Sequence, residues 1–330
     1  MGDAALPREH ILIAFFEPLP PGLEEDIKAK FPNVDTTTVI LPRGADVPSD
    51  AIQHATILVT FTNLPRPEDA HNSGIHGPPI AEWTLMNWLI SSRKFIPSYE
   101  NQKKHHWGGI TAYMHGMHDQ VGKTVGILGY GSIGRQIGRA ASALGMRVHA
   151  FTASPRPTPE SRRDRGYIVP GTGDADGAIP ASWHHGTDRE SVRAFLSLGL
   201  DHLVVSLPLT PQTTHLLGEE EFRILSDAVS PQRPRPFVTN IARGKVLDQD
   251  ALIAALKTGV LGGAALDVAD PEPLPADHPL WDAPNCHISP HVSSLGKEYF
   301  PRSMDVLKEN LGRMERGEEL VNEYKRGKAY

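Results

Sequence analysis

The feature that most constrains this chain is a glycine turn set between an apolar strand and a helix. Thr124-Val125-Gly126-Ile127-Leu128 reads as a buried strand, Gly129-Tyr130-Gly131-Ser132-Ile133-Gly134 follows at once, and Ile133 to Leu144 is an Ala- and Gly-rich helix. The spacing G-x-G-x-x-G is weak by itself and specific in this setting. The first glycine permits the tight turn, the second lets a pyrophosphate approach the backbone, and the third lets helix and strand pack closely. Amides at the helix start, those of Ser132 and Ile133 among them, then face phosphate oxygens. The turn implies a Rossmann domain that binds a dinucleotide; a glycine-rich turn that binds nothing is the plain alternative.

Strands and helices alternate on both sides of the turn. Downstream strands are expected at Arg147 to Phe151, Leu203 to Leu207, Phe237 to Thr239 and Gly263 to Asp267, with helices between them such as Gln249 to Lys257. That alternation argues for an open parallel sheet. Upstream, His10 to Phe16, Thr36 to Leu41 and Ala55 to Phe61 read as strands and Pro21 to Lys30 as a short helix. A long helix is expected from about Pro79 to Gln102, with Ile80, Trp83, Thr84, Asn87, Trp88 and Ser91 on or beside one stripe. Trp83 and Trp88 there either fill the core or anchor a second subunit. Residues 154–186 are rich in Pro, Arg, Gly and Asp and too long for an ordinary connection, so they read as an insertion after the second Rossmann strand. The segment from about His291 to Tyr330 reads as a helix and a charged tail.

The expected fold class is α/β: a doubly wound, Rossmann-type parallel-sheet domain with a smaller flavodoxin-like α/β domain. The boundaries are residues 1–77 for the smaller domain, 78–290 for the dinucleotide domain, and 291–330 for a helix returning to the first. A chain of 330 residues, 39% hydrophobic, supports two cores. Its formal net charge of -6 gives no basic excess for nucleic acid or an anionic membrane. The apolar run Ile11 to Phe16 lacks a basic leader and reads as a strand, not a signal peptide, and no apolar stretch is long enough to span a bilayer. One cysteine, Cys286, excludes an intrachain disulfide, makes a cytoplasmic setting the default, and reads as a small, partly buried residue. No metal is expected.

An acidic residue at the end of the second Rossmann strand would bond the adenosine ribose of NAD. Thr152 stands there, and a hydroxyl does not repel a 2′-phosphate. Arg156, four residues on, suits that phosphate as a charged donor, or is a solvated loop charge. NADP is therefore favoured over NAD, with both open.

Three further segments end strands on the carboxyl edge, where ligands bind in this class of fold. They are Thr239-Asn240-Ile241-Ala242-Arg243-Gly244, Leu266 to Leu274 with Asp267 and Glu272, and Ile288-Ser289-Pro290-His291-Val292. With the glycine turn, Ser206 to Pro211 and Val246 to Asp250, they resemble the D-isomer-specific 2-hydroxyacid dehydrogenase family, from Ser73 to the end. Thr152 with its neighbours and Gly74 to Pro79 look most like glyoxylate/hydroxypyruvate reductases and their fungal relatives. The resemblance implies that Arg243 binds and polarises a small 2-oxoacid, that His291 gives a proton to its carbonyl oxygen or takes it in reverse, and that Glu272 bonds the other imidazole nitrogen. An adjacent carboxylate favours a charged imidazole. It also implies a cofactor site drawing on Leu207, Pro208, Thr213, Ile241, Ala242 and Asp267, the last near the nicotinamide carboxamide, and a homodimer. Each of Arg243, Glu272 and His291 also has a plain structural or surface reading.

The resemblance breaks near residues 62–73. On the order of thirty residues, about one strand-helix-strand unit, are missing against the family's pattern. The loop lost with them grips the substrate carboxylate in the family. The shortening leaves a second class of function open: a non-catalytic, NAD(H)-sensing, corepressor-like protein, or an inactive truncated form. His105, His106, His115, His118, His184 and His185 lie in polar stretches and read as solvated.

Overall fold

The computed structural model describes residues 9–42, 45, 47–60, 73–114 and 116–322. The chain divides into two compact units, one ending at Ile75 and resuming at Gly296, the other running from His76 to Leu295.

In the first unit, β1 (Glu9–Phe15), α1 (Leu23–Lys30), β2 (Val34–Ile40), α2 (Ser49–Ile52) and β3 (Ile57–Thr60) give a parallel sheet in the order β2-β1-β3. The apolar run that could have suggested a leader is the central strand. Every residue from Ile11 to Phe15 is buried, as a strand covered on both faces requires. The junction at 62–72, where the family pattern breaks, lies outside the described residues.

The second unit runs through α3 (Gly77–Ser92), α4 (Phe95–Lys103), α5 (Ile110–Met114), β4 (Thr124–Leu128), α6 (Ser132–Ala143), β5 (Arg147–Thr152), α7 (Pro159–Arg162), β6 (Ser182–His185), α8 (Arg189–Leu196), β7 (His202–Val205), α9 (Glu219–Asp227), β8 (Phe237–Asn240), α10 (Gln249–Lys257), β9 (Gly263–Leu266) and β10 (Cys286–Ile288). Its seven strands are all parallel, in the order β10-β9-β8-β7-β4-β5-β6. The order reverses at β4, so the carboxyl end of β4, occupied by Gly129, is the switch point of the sheet.

Alternation along the strands separates two cores. Leu128, Leu203, Val205, Val238, Ala264 and Leu266 face Phe195 of α8, Phe222 of α9 and Leu252 of α10. Val125, Ile127, Val204, Phe237 and Ala265 face Ile80 and Trp88 of α3 and Ile137 of α6. Trp88 is fully buried and donates from Nε1 to Thr239 Oγ1 at 2.9 Å. It is therefore a core residue and not an interface anchor; Trp83 is half-buried against the same core.

Three sequence expectations are corrected. The long helix from Pro79 to Gln102 is two helices, because Lys94 adopts φ 52 and ψ 43 between them. The stretch 154–186 contains α7 and ends in an edge strand, β6, paired with β5 from Ser182↔His149 to His185↔Thr152. It is pinned from inside: Arg135, 5% exposed, donates to the carbonyls of Asp174 (2.5 Å) and Arg162 (2.6 Å). The Asp174 carboxylate takes the Tyr130 hydroxyl (3.1 Å) and the amides of Ala178 and Ile179. Burial, then the Asp174 charge, pushes the Tyr130 phenol above its ordinary range, so it stays a neutral donor. Two of the histidines are also less solvated than expected. His118 and His184 are half-buried, while His105, His106 and His185 are exposed and His115 lies outside the described residues.

After the second unit, α11 (Tyr299–Arg316) returns to the first. Met304 and Leu311 pack with Ile11, Ile13, Phe15, Ile27 and Phe31, and Lys308 donates to Asp26 at 2.6 Å.

Candidate active site and cofactor cradle

The three glycines of the turn are required for different reasons. Gly129 has φ 96, and a Cβ there would lie 2.3 Å from the carbonyl oxygen of Ser206. A Cβ on Gly134 would lie 2.5 Å from the carbonyl oxygen of Gly129 and 2.9 Å from Ile127. Both glycines are explained by the protein's own packing. Gly131 is not: its φ is -87, and a Cβ there would meet nothing within 4 Å. Neither backbone geometry nor packing calls for glycine at 131, whereas a phosphate resting on the turn does. Gly131 is the N-cap of α6, so the amides of Ser132, Ile133 and Gly134 lack helical acceptors and open on that space. The residues present fit a dinucleotide pyrophosphate.

The other proposed cofactor residues lie around the same edge. Ile241 and Ala242 are buried at the end of β8, 8% and 5% exposed. Leu207 and Pro208 follow β7 and are half-buried, and Thr213 holds that turn by donating to the Pro208 carbonyl at 2.7 Å. Thr152 ends β5 and donates to the Ser154 carbonyl at 2.8 Å. Arg156 is exposed, and one guanidinium nitrogen donates to the Ser161 carbonyl at 2.7 Å.

Arg243 leaves the end of β8 exposed, in extended backbone, with Nη1 on its neighbour's carbonyl, that of Ala242, at 2.6 Å. Asn240 ties this loop: its Nδ2 donates to the Arg243 carbonyl (3.1 Å) and its Oδ1 accepts the Ala242 amide (3.1 Å). Gly244 lets the loop press on the next one. A Cβ there would lie 2.0 Å from the backbone carbon and oxygen of Ala269. Ala269 in turn gives its amide to Glu272 Oε1 (3.0 Å), and Glu272 Oε2 sits 3.0 Å from His291 Nδ1. One chain of contacts therefore links the Arg243 loop, Glu272 and His291. With Nδ1 on the carboxylate, Nε2 is the imidazole nitrogen left for a reactant. Glu272 and His291 are 37% and 44% exposed, so the pair is open to solvent.

Asp267, expected near the nicotinamide carboxamide, is held by its own loop. It is 2% exposed, and its oxygens take the Ser289 hydroxyl (2.6 Å), the Val292 amide (2.9 Å), the Ser293 amide (2.9 Å) and the Ser293 hydroxyl. A carboxylate so occupied organises the loop that carries His291. His291 itself has φ 57, an unusual value for a residue with a side chain, held by these bonds on both flanks. Sequence reasoning also missed Asn240 and Gly244; the Asn at a strand end, followed by a turn, was the available signal for the first.

A seven-stranded parallel sheet with a glycine cradle at its switch point, and an Arg–Glu–His set on the same edge, is the architecture of a dinucleotide-binding α/β domain. The family model described as D-isomer specific 2-hydroxyacid dehydrogenase, NAD binding domain, matches residues 85–169 and 181–293, and the chain belongs to that family. A glyoxylate/hydroxypyruvate reductase B of Pectobacterium carotovorum is 31% identical over 289 residues, 81% of each chain. A glyoxylate reductase of Thermococcus gammatolerans is 31% identical over 216 residues, covering 64% of this chain and 55% of that one, so the match spans about half of that relative's length. Among solved structures, a D-isomer specific 2-hydroxyacid dehydrogenase family protein of Aeromonas salmonicida superposes with TM-score 0.69 at 25% identity, over 96% of this chain and 99% of that one. A family member from Xanthobacter autotrophicus, in complex with NADPH and MES, gives TM-score 0.55 at 28% identity, over 76% and 88%.

Proposed function

We propose that this protein is an NAD(P)-dependent reductase of small 2-oxoacids, forming D-2-hydroxyacids, with glyoxylate and hydroxypyruvate as the substrates to try first. The observation that carries the reading is the 3.0 Å pairing of His291 with Glu272, joined through Ala269 and Gly244 to the Arg243 loop. When bound, a reduced nicotinamide supplies the hydride. Arg243 pairs its planar fork with the substrate carboxylate and draws electron density from the adjacent carbonyl. His291 holds a proton at Nε2 and delivers it to the carbonyl oxygen, and Glu272 fixes the ring and balances the imidazolium. Gly129, Gly131, Ser132, Ile133 and Gly134 seat the pyrophosphate, and Leu207, Pro208, Thr213, Ile241 and Ala242 form the surrounding wall.

NADP is the preferred form in this reading. Thr152 brings no negative charge to the ribose side, and exposed Arg156 has guanidinium nitrogens left for a phosphate. In this reading residues 1–77 with the returning segment 291–330 belong to the substrate domain and 78–290 to the NAD(P)-binding domain, in which 154–186 is a long connection that ends in β6. The protein is a cytoplasmic homodimer in the same reading. Met86, Leu89, Phe95, Ile96, Tyr99, Ile110 and Met114 are exposed in succession along α3, α4 and α5, an apolar surface of the kind subunits cover. Among the described residues no helix is long and apolar enough to cross a membrane.

The test is oxidation of NADPH and NADH by the purified protein with each 2-oxoacid, beside Arg243→Ala. Turnover that disappears in the variant is expected. Intact dinucleotide binding without turnover on any 2-oxoacid would favour the sensing alternative.

A further inference from the structure

The amino-terminal edge of the seven-stranded sheet, opposite the glycine turn, carries a cavity of about 330 Å³. Lys94, Lys123, Arg233 and Arg235 line it, with Asp201 as the single carboxylate. Asp201 is engaged through one oxygen, and the other, Oδ1, has no hydrogen bond. Its Oδ2 takes the Thr124 amide at 2.7 Å and the Arg233 guanidinium, and Lys123 Nζ stands 3.9 Å from Oδ1. Lys94 and Arg235 have no carboxylate partner among the described residues; Arg235 reaches only the hydroxyl and carbonyl of Ser226, at 3.3 and 3.5 Å. The wall therefore holds an uncompensated positive charge.

Buried polar atoms at the same place lack partners. His202 is 3% exposed and lines the cavity; its Nε2 meets Gln120 Oε1 at 2.9 Å, and its Nδ1 has no hydrogen bond. The local field agrees. Burial, then Lys123 and Lys94, lowers the His118 imidazole to about 4, and burial, then Lys123 and His118, lowers His202 to about 3.

We propose that this cavity is an anion site for a phosphate group, either free phosphate or the phosphate of a small monoester. Lys94, Lys123 and Arg235 supply charged donors to its oxygens. The site is separate from the cofactor cradle: β4 runs between them, with Thr124 at the cavity end and Gly129 beyond the other. It does not depend on the catalytic reading.

Titration calorimetry of the full chain at constant ionic strength tests it, with inorganic phosphate in one arm and glycerol 3-phosphate in the other. Saturable binding in either arm is expected, weakened about tenfold or more by Lys94→Gln with Arg235→Gln and unchanged by Arg243→Gln. The tighter arm identifies the source. Arg235 is exposed, so Arg235→Gln alone provides the same test without disturbing the fold. Absence of saturable binding in both arms, equal affinity in the double variant, or a loss confined to Arg243→Gln would overturn the proposal.

Discussion

The buried carboxylate of Asp267 accepts the backbone amide of Val292, the residue after His291, at 2.9 Å. With the bonds from Ser289 and Ser293 it fixes the segment that places the imidazole beside Glu272. Asp267→Asn puts a donor amide where two backbone amides already donate. We expect kcat to fall about tenfold or more with the dinucleotide Kd changed little, and stability to drop by about 1–3 kcal/mol. Steady-state kinetics beside dinucleotide titration checks the split; a loss of dinucleotide affinity with kcat intact would return Asp267 to the cofactor.

Gly131 separates binding from folding. Because a Cβ at 131 has no protein atom within 4 Å, Gly131→Ala should keep the Tm, and Gly131→Val, with more bulk on the turn, should weaken dinucleotide binding at least tenfold. Gly134→Val, by contrast, drives a side chain into the Gly129 carbonyl and should lower the Tm itself. Thermal melts with and without NADPH distinguish the two; equal NADPH stabilisation in wild type and Gly131→Val would count against the cradle.

Gly244→Ala is expected to be severe for so small a change. The added methyl overlaps the Ala269 backbone, so the Arg243 loop must lift away from the loop of Glu272. Activity should fall at least tenfold, with about 1–3 kcal/mol of stability lost. A variant with wild-type kcat/KM would show that the two loops need not touch.

Stability should decline in acid. His202, His118 and His76 are held near 3, 4 and 4, chiefly by burial, below the ordinary 6.5. The unfolded chain takes up protons as pH falls below about 6.5 while the fold does not, so the stabilisation is present above 6.5 and is lost progressively as pH falls toward 4. Each tenfold drop in a histidine's proton affinity on folding corresponds to about 1.4 kcal/mol for a fully buried group, and less for half-exposed His118. Urea midpoints at pH 7.5 and 5 should differ, the lower pH giving the lower midpoint, and His202→Gln should reduce the difference.

The strand-turn-helix at 124–144 was legible because a strand buried on both faces must read as a continuous apolar run, and the turn after it admits few residues. The Arg243, Glu272 and His291 segments were legible through resemblance, since no local pattern says that residues 19 apart will pair. The helix break at Lys94 carried one signal, Pro97, which is disfavoured inside a helix and falls in the first turn of α4; the left-handed lysine that makes the turn carried none. The strand β6 was hidden because Ser182-Trp183-His184-His185 is a half-polar edge, without the apolar alternation that announces a strand. Trp88 could be placed on a stripe but not inside or outside, because its partner Thr239 lies 151 residues away.

The most direct measurement of the central claim follows deuterium from the C4 position of reduced nicotinamide to C2 of the product, using glyoxylate or hydroxypyruvate and comparing wild type with His291→Asn. Label recovered at C2 of glycolate or of D-glycerate by wild type, with the rate reduced about 10²-fold or more in the variant, is the expected result. Dinucleotide bound by the wild type with no label transferred, or transfer at the same rate in both proteins, would contradict it.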